Sequence, residues 1–158
     1  MRLIDDPLIT RVAEAAEASP RRRQNHDFHE AHEPVQRMLN ALRDDSYVRP
    51  HRHAAPAKVE VFLALTGRFL ALTFDDTGAV SASAVLDPHG PVRGVEIPRG
   101  AWHALLALDP VAVAFELIEG PYDPATHKEF APWAPAEADA GLPWLQARAA
   151  ETIPPMPA

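Results

Sequence analysis

The chain has 158 residues, with 15 Lys and Arg against 22 Asp and Glu, a net charge of −7, 17 prolines, eight histidines and no cysteine. This length fits one domain with a buried core, and the lack of Cys excludes disulfide scaffolds, thiolate zinc sites, iron–sulfur clusters and Cys nucleophiles. Basic against acidic residues number 8 and 9 over 1–49, 5 and 8 over 50–119, and 2 and 5 over 120–158, so no segment is the basic domain that nucleic-acid binding needs.

The opening residues MRLIDDPL place acids where a signal peptide carries an apolar core. No apolar run approaches the about 20 residues that span a bilayer, so no membrane association and a cytoplasmic location are expected. Asp6-Pro7 then reads as an N-cap with proline in the first turn, followed by Leu8, Val12, Ala15 and Ala16 at helical spacing up to Ser19-Pro20. A second helix is expected from Pro34 to about Arg43, because Val35, Met38, Leu39 and Leu42 recur at i, i+3, i+4 and i+7.

From Tyr47 to Glu119 short apolar segments alternate with turn residues. They are Tyr47–His53, Val59–Leu65, Arg68–Phe74, Val80–Leu86, Val92–Ile97, Trp102–Leu108 and Val111–Ile118. Seven such strands without intervening helices predict an antiparallel sandwich or barrel. After Gly120 the chain is rich in proline, with one short helical stretch near Leu142–Ala149. The expected organisation is one structural domain: a helical segment 1–46, a β core 47–119 and a Pro-rich extension 120–158 packing on it.

The chemistry concentrates in His51-Arg52-His53, six residues, Glu60, six residues, Gly67, and then Pro98-Arg99-Gly100-Ala101-Trp102-His103. Two His separated by one residue on a strand share a face, because the side-chain period is two. Glu60 on the next strand can return a carboxylate to the same point, and the Pro-x-Gly turn sets His103 at a strand start. Three imidazoles and one carboxylate suit a divalent transition metal such as Fe, Zn, Mn or Ni, with positions left for a ligand.

These motifs resemble those of the cupin superfamily. The resemblance implies a mainly β double-stranded β-helix (jelly-roll barrel), here with N-terminal helices and the Pro-rich C-terminal extension, and a metal held by His51, His53, Glu60 and His103. The chain departs from the pattern twice: the His53–Glu60 gap is longer than usual, with Ala54–Val59 as the absorbing loop, and Ala107 stands where many cupins have Asn. A narrower resemblance, over about residues 20–137, is to the WbuC family of cupin-fold metalloproteins. It rests on Arg23-x-Asn25-x-x-x-His29, Val35-Gln36-Arg37, Tyr47-Val48-Arg49-Pro50-His51-Arg52-His53, Glu119-Gly120-Pro121-Tyr122 and His127 to Pro135. WbuC members occur beside bacterial surface-polysaccharide genes, and the family carries no settled reaction.

Arg49 shares the face of His51 by alternation. It either holds a carboxylate or phosphate of a substrate or pairs with a structural acid. Asn25 and His29 precede the barrel and are candidate substrate-binding residues at its mouth. Glu116 points inward as a general base or outward to a pairing partner, and Tyr122 is a candidate acid or hydrogen-bonder at the rim. His127 either orders the tail or lines the pocket, while His26, His32 and His89 read as solvated. The favoured function is a metal-dependent, isomerase- or epimerase-like enzyme acting on a small polar sugar or sugar nucleotide. The alternatives are a non-catalytic metal-dependent binding module, an Fe(II) oxygenase, or a structural ion. Cupins are frequently dimers, so a homodimer is expected.

Overall fold

Asp5, one residue before the expected cap, accepts the Leu8 N–H at 3.1 Å and starts α1 (Asp6–Ala18), with Pro7 in its first turn. Leu8, Val12 and Ala16 form its buried stripe. The computed structural model describes residues 1–136 and 140–152; residues 137–139 and 153–158 of the expected extension lie outside the described residues. After α1 come β1 (Arg23–Asp27), β2 (Val35–Arg43), β3 (His51–Arg52), β4 (Glu60–Thr66), β5 (Phe69–Phe74) and β6 (Val80–Leu86). Then follow β7 (Gly94–Ile97), β8 (Trp102–Ala107), β9 (Val111–Glu119), β10 (Glu129–Phe130) and α2 (Gly141–Ala150).

The helix expected at Pro34–Arg43 is a strand, so α1 is the one helix that precedes the barrel. The apolar positions of β2 fit both periods because the strand is covered on both sides. Leu39 and Ala41 pack under α1, while Leu42 joins the barrel core. β1 went unrecognised because it is polar and largely exposed, without the alternation that marks a half-buried strand. The seven expected strands are all present, the first shortened to His51–Arg52.

The strands form two five-stranded antiparallel sheets, ordered β1-β2-β9-β4-β7 and β10-β3-β8-β5-β6, the two walls of a jelly-roll barrel. Phe62, Phe69, Leu86, Leu105, Ala112 and Ala114 fill the interior. α1 covers the outer face of the first sheet at Leu39, Ala41 and Val113. Leu70, Leu72, Phe74, Trp102 and Leu106, on the outer face of the second, are covered by Ala131, Ala134, Leu145 and Ala149 with Trp133 and Trp144. Among the described residues no helix is long and apolar enough to cross a membrane.

Along each central strand the inward residues change character. β8 runs from His103 to Leu105 and Ala107, β4 from Glu60 to Phe62 and Ala64, and β9 from Ala112 and Ala114 to Glu116. The barrel therefore has an apolar end and a polar end. At the apolar end the β4–β5 turn needs Gly67 at φ 64°, where an added Cβ would lie 2.5 Å from the Val111 carbonyl oxygen. Next to it, Arg68 is clamped to Asp109, with its backbone N–H at 2.9 Å and Nη2 at 2.6 Å from the carboxylate.

Hydrogen bonding to Arg68 holds the Asp109 carboxyl below its ordinary value. A depressed carboxyl stabilises the fold above its unfolded-state pKa, and that contribution disappears as pH falls through the lower folded value. Asp109→Asn should therefore melt below wild type at pH 7, with the gap starting to close near about pH 4 and vanishing only beneath the lowered folded value. Thermal unfolding across pH 2–7 checks this, and a constant gap would assign the effect to geometry rather than charge.

Candidate metal centre

At the polar end His51 and His103 face each other across the β3–β8 pair, and Glu60 projects from β4 in the opposite sheet. His51, His53, Glu60 and His103 are at most 4% exposed, and one ligand atom of each lies within 4.8 Å of the others. Ligand atoms around one ion at about 2.2 Å stand up to about 4.4 Å apart, so the grouping is within a few tenths of an ångström of coordination size.

Each imidazole is oriented by its other nitrogen. Nδ1–H donates to the Arg49 carbonyl in His51 (2.9 Å), to the Ala101 carbonyl in His103 (3.0 Å) and to the His127 carbonyl in His53. A carbonyl accepts only, so Nδ1 carries the proton and the Nε2 lone pair is free for a metal. Nε2 of His103 stands 2.8 Å and Nε2 of His53 3.3 Å from Glu60 Oε2, yet all three atoms lack hydrogen-bond partners among the described residues. Lone pairs this close repel unless a cation lies against them. Burial, with Lys128 and His103 nearby, pushes His51 well below the usual imidazole value, so the ring is neutral as coordination requires. The donor set thus fits one divalent ion bound by three nitrogens and an oxygen.

The lengthened His53–Glu60 connection is absorbed as expected, by a turn closed through an Ala54–Ala57 bridge. Lys58 Nζ donates to the Pro121 carbonyl at 2.7 Å and the Val59 N–H to Glu119 at 2.8 Å, tying that loop to the end of β9. β3 is held on its far side by β10, where Arg52 pairs with Glu129 through two bonds of 2.9 Å and lies over the Trp102 ring at 4.2 Å.

A cavity of about 780 Å³ opens from His51, and Asn25, His29, Arg49, Glu116 and Tyr122 all line it. Glu116 faces inward, with Asn40 Nδ2 donating to its carboxylate at 2.8 Å. Burial, with the Glu60 charge beside it, raises its carboxyl well above the ordinary value. Arg49 has no carboxylate partner among the described residues. It donates to the Ala131 carbonyl at 3.0 Å, lies over Phe130 at 5.2 Å, and leaves Nε buried without a partner. Asn25 donates to Met38 Sδ at 3.3 Å, and His29 Nδ1 accepts the Arg37 N–H at 3.0 Å. Tyr122 is at the exposed rim and packs on His127, which packs on His53, each at 4.7 Å between ring centres. Burial, with Lys128 and His53 near, lowers His127 to about 3. His26, His32 and His89 are exposed.

Sequence reasoning missed Gln36, Asn40 and Lys128, which also line the cavity. Gln36 and Asn40 face inward only because 35–43 is a strand. The signal available for them was the two-residue alternation Gln36, Met38, Asn40, Leu42, hidden beneath the helical reading.

A family model described as a domain of unknown function (DUF6016) matches residues 4–86, more than half of the chain. Comparison with curated proteins gives no significant match. Among solved structures, the capsular polysaccharide assembling protein CapF from Staphylococcus aureus is 18% identical, with a TM-score of 0.60 over 71% of this chain and 30% of that one. CapF with the inhibitor 3-isopropenyl-tropolone is 20% identical, at 0.59 over 71% and 32%. Oxalate oxidase in complex with glycolate is 16% identical, at 0.56 over 73% and 58%. The chain spans less than two thirds of each of these neighbours, and the likeness establishes the cupin fold.

If Glu60 supplies the anionic ligand, Glu60→Gln should lower divalent-metal affinity at least about tenfold, or about 1.4 kcal/mol. Competition with a chromogenic chelator measures it, and an unchanged affinity would remove Glu60 from the ligand set.

Proposed function

The chain belongs to the DUF6016 family, and from that family, the cupin fold and the site just described we propose a metal-dependent cupin that acts on a small polar molecule. The reaction class is isomerase- or epimerase-like. The observation that carries the reading is the set of three oriented, buried imidazoles meeting one carboxylate, with His53 Nε2, His103 Nε2 and Glu60 Oε2 left without partners among the described residues. His51, His53, Glu60 and His103 hold the ion, which when bound supplies Lewis-acid polarisation of a carbonyl or hydroxyl oxygen.

The remaining residues orient the substrate and move its proton. Glu116, inward and lining the cavity, is placed to carry a proton to or from the substrate. Tyr122 donates a hydrogen bond from the rim. Arg49, with Asn25 and His29, holds the polar groups of the molecule. Support for a sugar or sugar nucleotide comes from two sides: the resemblance of residues 20–137 to the WbuC family, and the printed role of CapF in capsular polysaccharide assembly.

Metal analysis of protein purified without an affinity tag should find about one divalent transition ion per chain, and His51→Ala should lose most of it. Saturating the wild type at a hundredfold excess over Kd should add about 2.7 kcal/mol of stability, which a chelator removes. Wild type that takes up no divalent ion would overturn the metal reading.

With metal-loaded protein and a panel of nucleotide sugars and keto acids, Glu116→Gln should keep the metal and slow turnover by about 10²–10⁴. Saturable binding without chemical change in the wild type would assign a binding module. Oxygen consumption with Fe(II) alone among the metals would assign an oxygenase.

A further inference from the structure

The cavity that opens from His51 is basic although the protein is acidic. Four of its lining side chains are Lys or Arg (Arg21, Arg23, Arg49 and Lys128) and two are acids (Asp27 and Glu116), in a chain of net charge −7. Three of the lining groups present donors that the described residues leave unused. Gln36 is 1% exposed and its Nε2 is buried without a partner. Arg49 is fixed by the Ala131 carbonyl and the Phe130 ring, with Nε buried and unpaired. Lys128, exposed just before β10, has neither a hydrogen bond nor an ion pair among the described residues.

Buried donors normally find acceptors within the fold. Here the acceptor has to come from outside, because β2 aims Gln36 into the barrel and the register leaves Met38 and Ile118 as its inward neighbours. A fixed cation, a mobile ammonium and an amide N–H₂ together match the oxygens of an anion. The acceptor Oδ1 of Asn40, also buried and unpaired, suits a hydroxyl donor beside that anion.

We propose that Gln36, Arg49 and Lys128 form an oxyanion subsite that takes the phosphate or carboxylate of a small hydroxylated molecule. The subsite deepens the proposed function, since it rests on reading this cavity as the substrate site. It uses no metal ligand, so it can be tested separately from the ion.

Calorimetric titration of metal-loaded protein with glucose 6-phosphate, gluconate and glucose tests it, with metal content measured in every sample. At least one of the two anions should bind about tenfold or more tightly than glucose, with an affinity that falls as salt rises. The tighter anion identifies phosphate or carboxylate as the group recognised. Lys128→Gln, at an exposed position that leaves the core intact, should weaken anion binding about tenfold and leave glucose unchanged. Gln36→Leu should weaken the anion while the metal content holds. Anions that bind no better than glucose, or that bind both variants as tightly as the wild type, overturn the subsite. Protein that holds no divalent ion yet binds an anion in this Lys128-dependent way sinks the metal reading and leaves the subsite standing.

Discussion

The structure depends on four buried polar side chains having something to point at. An imidazole or carboxylate enclosed among strands gives up its water, and a lone pair left without a partner costs about 1–3 kcal/mol. His53 Nε2, His103 Nε2 and Glu60 Oε2 share that condition within one small volume. A single divalent cation satisfies all of them at once, whereas protonating the rings would crowd positive charges where burial already keeps His51 neutral.

Holding such a cluster requires a frame that does not relax around it. The three carbonyls of Arg49, Ala101 and His127 fix the ring orientations, and they come from three different segments of chain. Each segment is anchored independently: β3 between β8 and β10, the turn before β8 through the Ala101 N–H to the Pro98 carbonyl, and the His127 segment through Asp123. The outer faces of both sheets are covered, one by α1 and the other by residues 131–134 and 142–149, so the strands are pinned from outside as well as within. The apolar half of the interior supplies the folding energy, and the polar half holds the buried His/Glu cluster.

The grouping of His51, His53 and His103 was legible because it depends on local geometry. Alternation along a strand puts His51 and His53 on one face whatever else the chain does, and a Pro-x-Gly turn delivers His103 to a strand start. Where both faces of an element are buried, that local rule fails. β2 read as a helix because Val35, Met38, Leu39 and Leu42 fit 3.6 as well as 2, and the error hid Gln36 and Asn40 from view. β1 escaped for the opposite reason, having almost nothing apolar to alternate. Glu116 and Arg49 were singled out and both line the cavity, but their directions were set by register against β2 and by the Ala131 carbonyl, contacts more than seventy residues away in sequence. Trp133 and Trp144 cover the outer face of the second sheet.

β1 has a consequence for how this scaffold changes over time. It is an edge strand, paired only to β2, and it brings Asn25 and Asp27 to the wall of the cavity while burying almost nothing. Mutations there therefore reshape the cavity wall with little loss of stability, whereas equivalent changes on β4, β8 or β9 strike the core, Glu60 or His103. On β1 the side chains that line the cavity are not ones that hold the fold together. That separation leaves this part of the cavity wall free to vary while the buried His/Glu cluster and the barrel stay as they are.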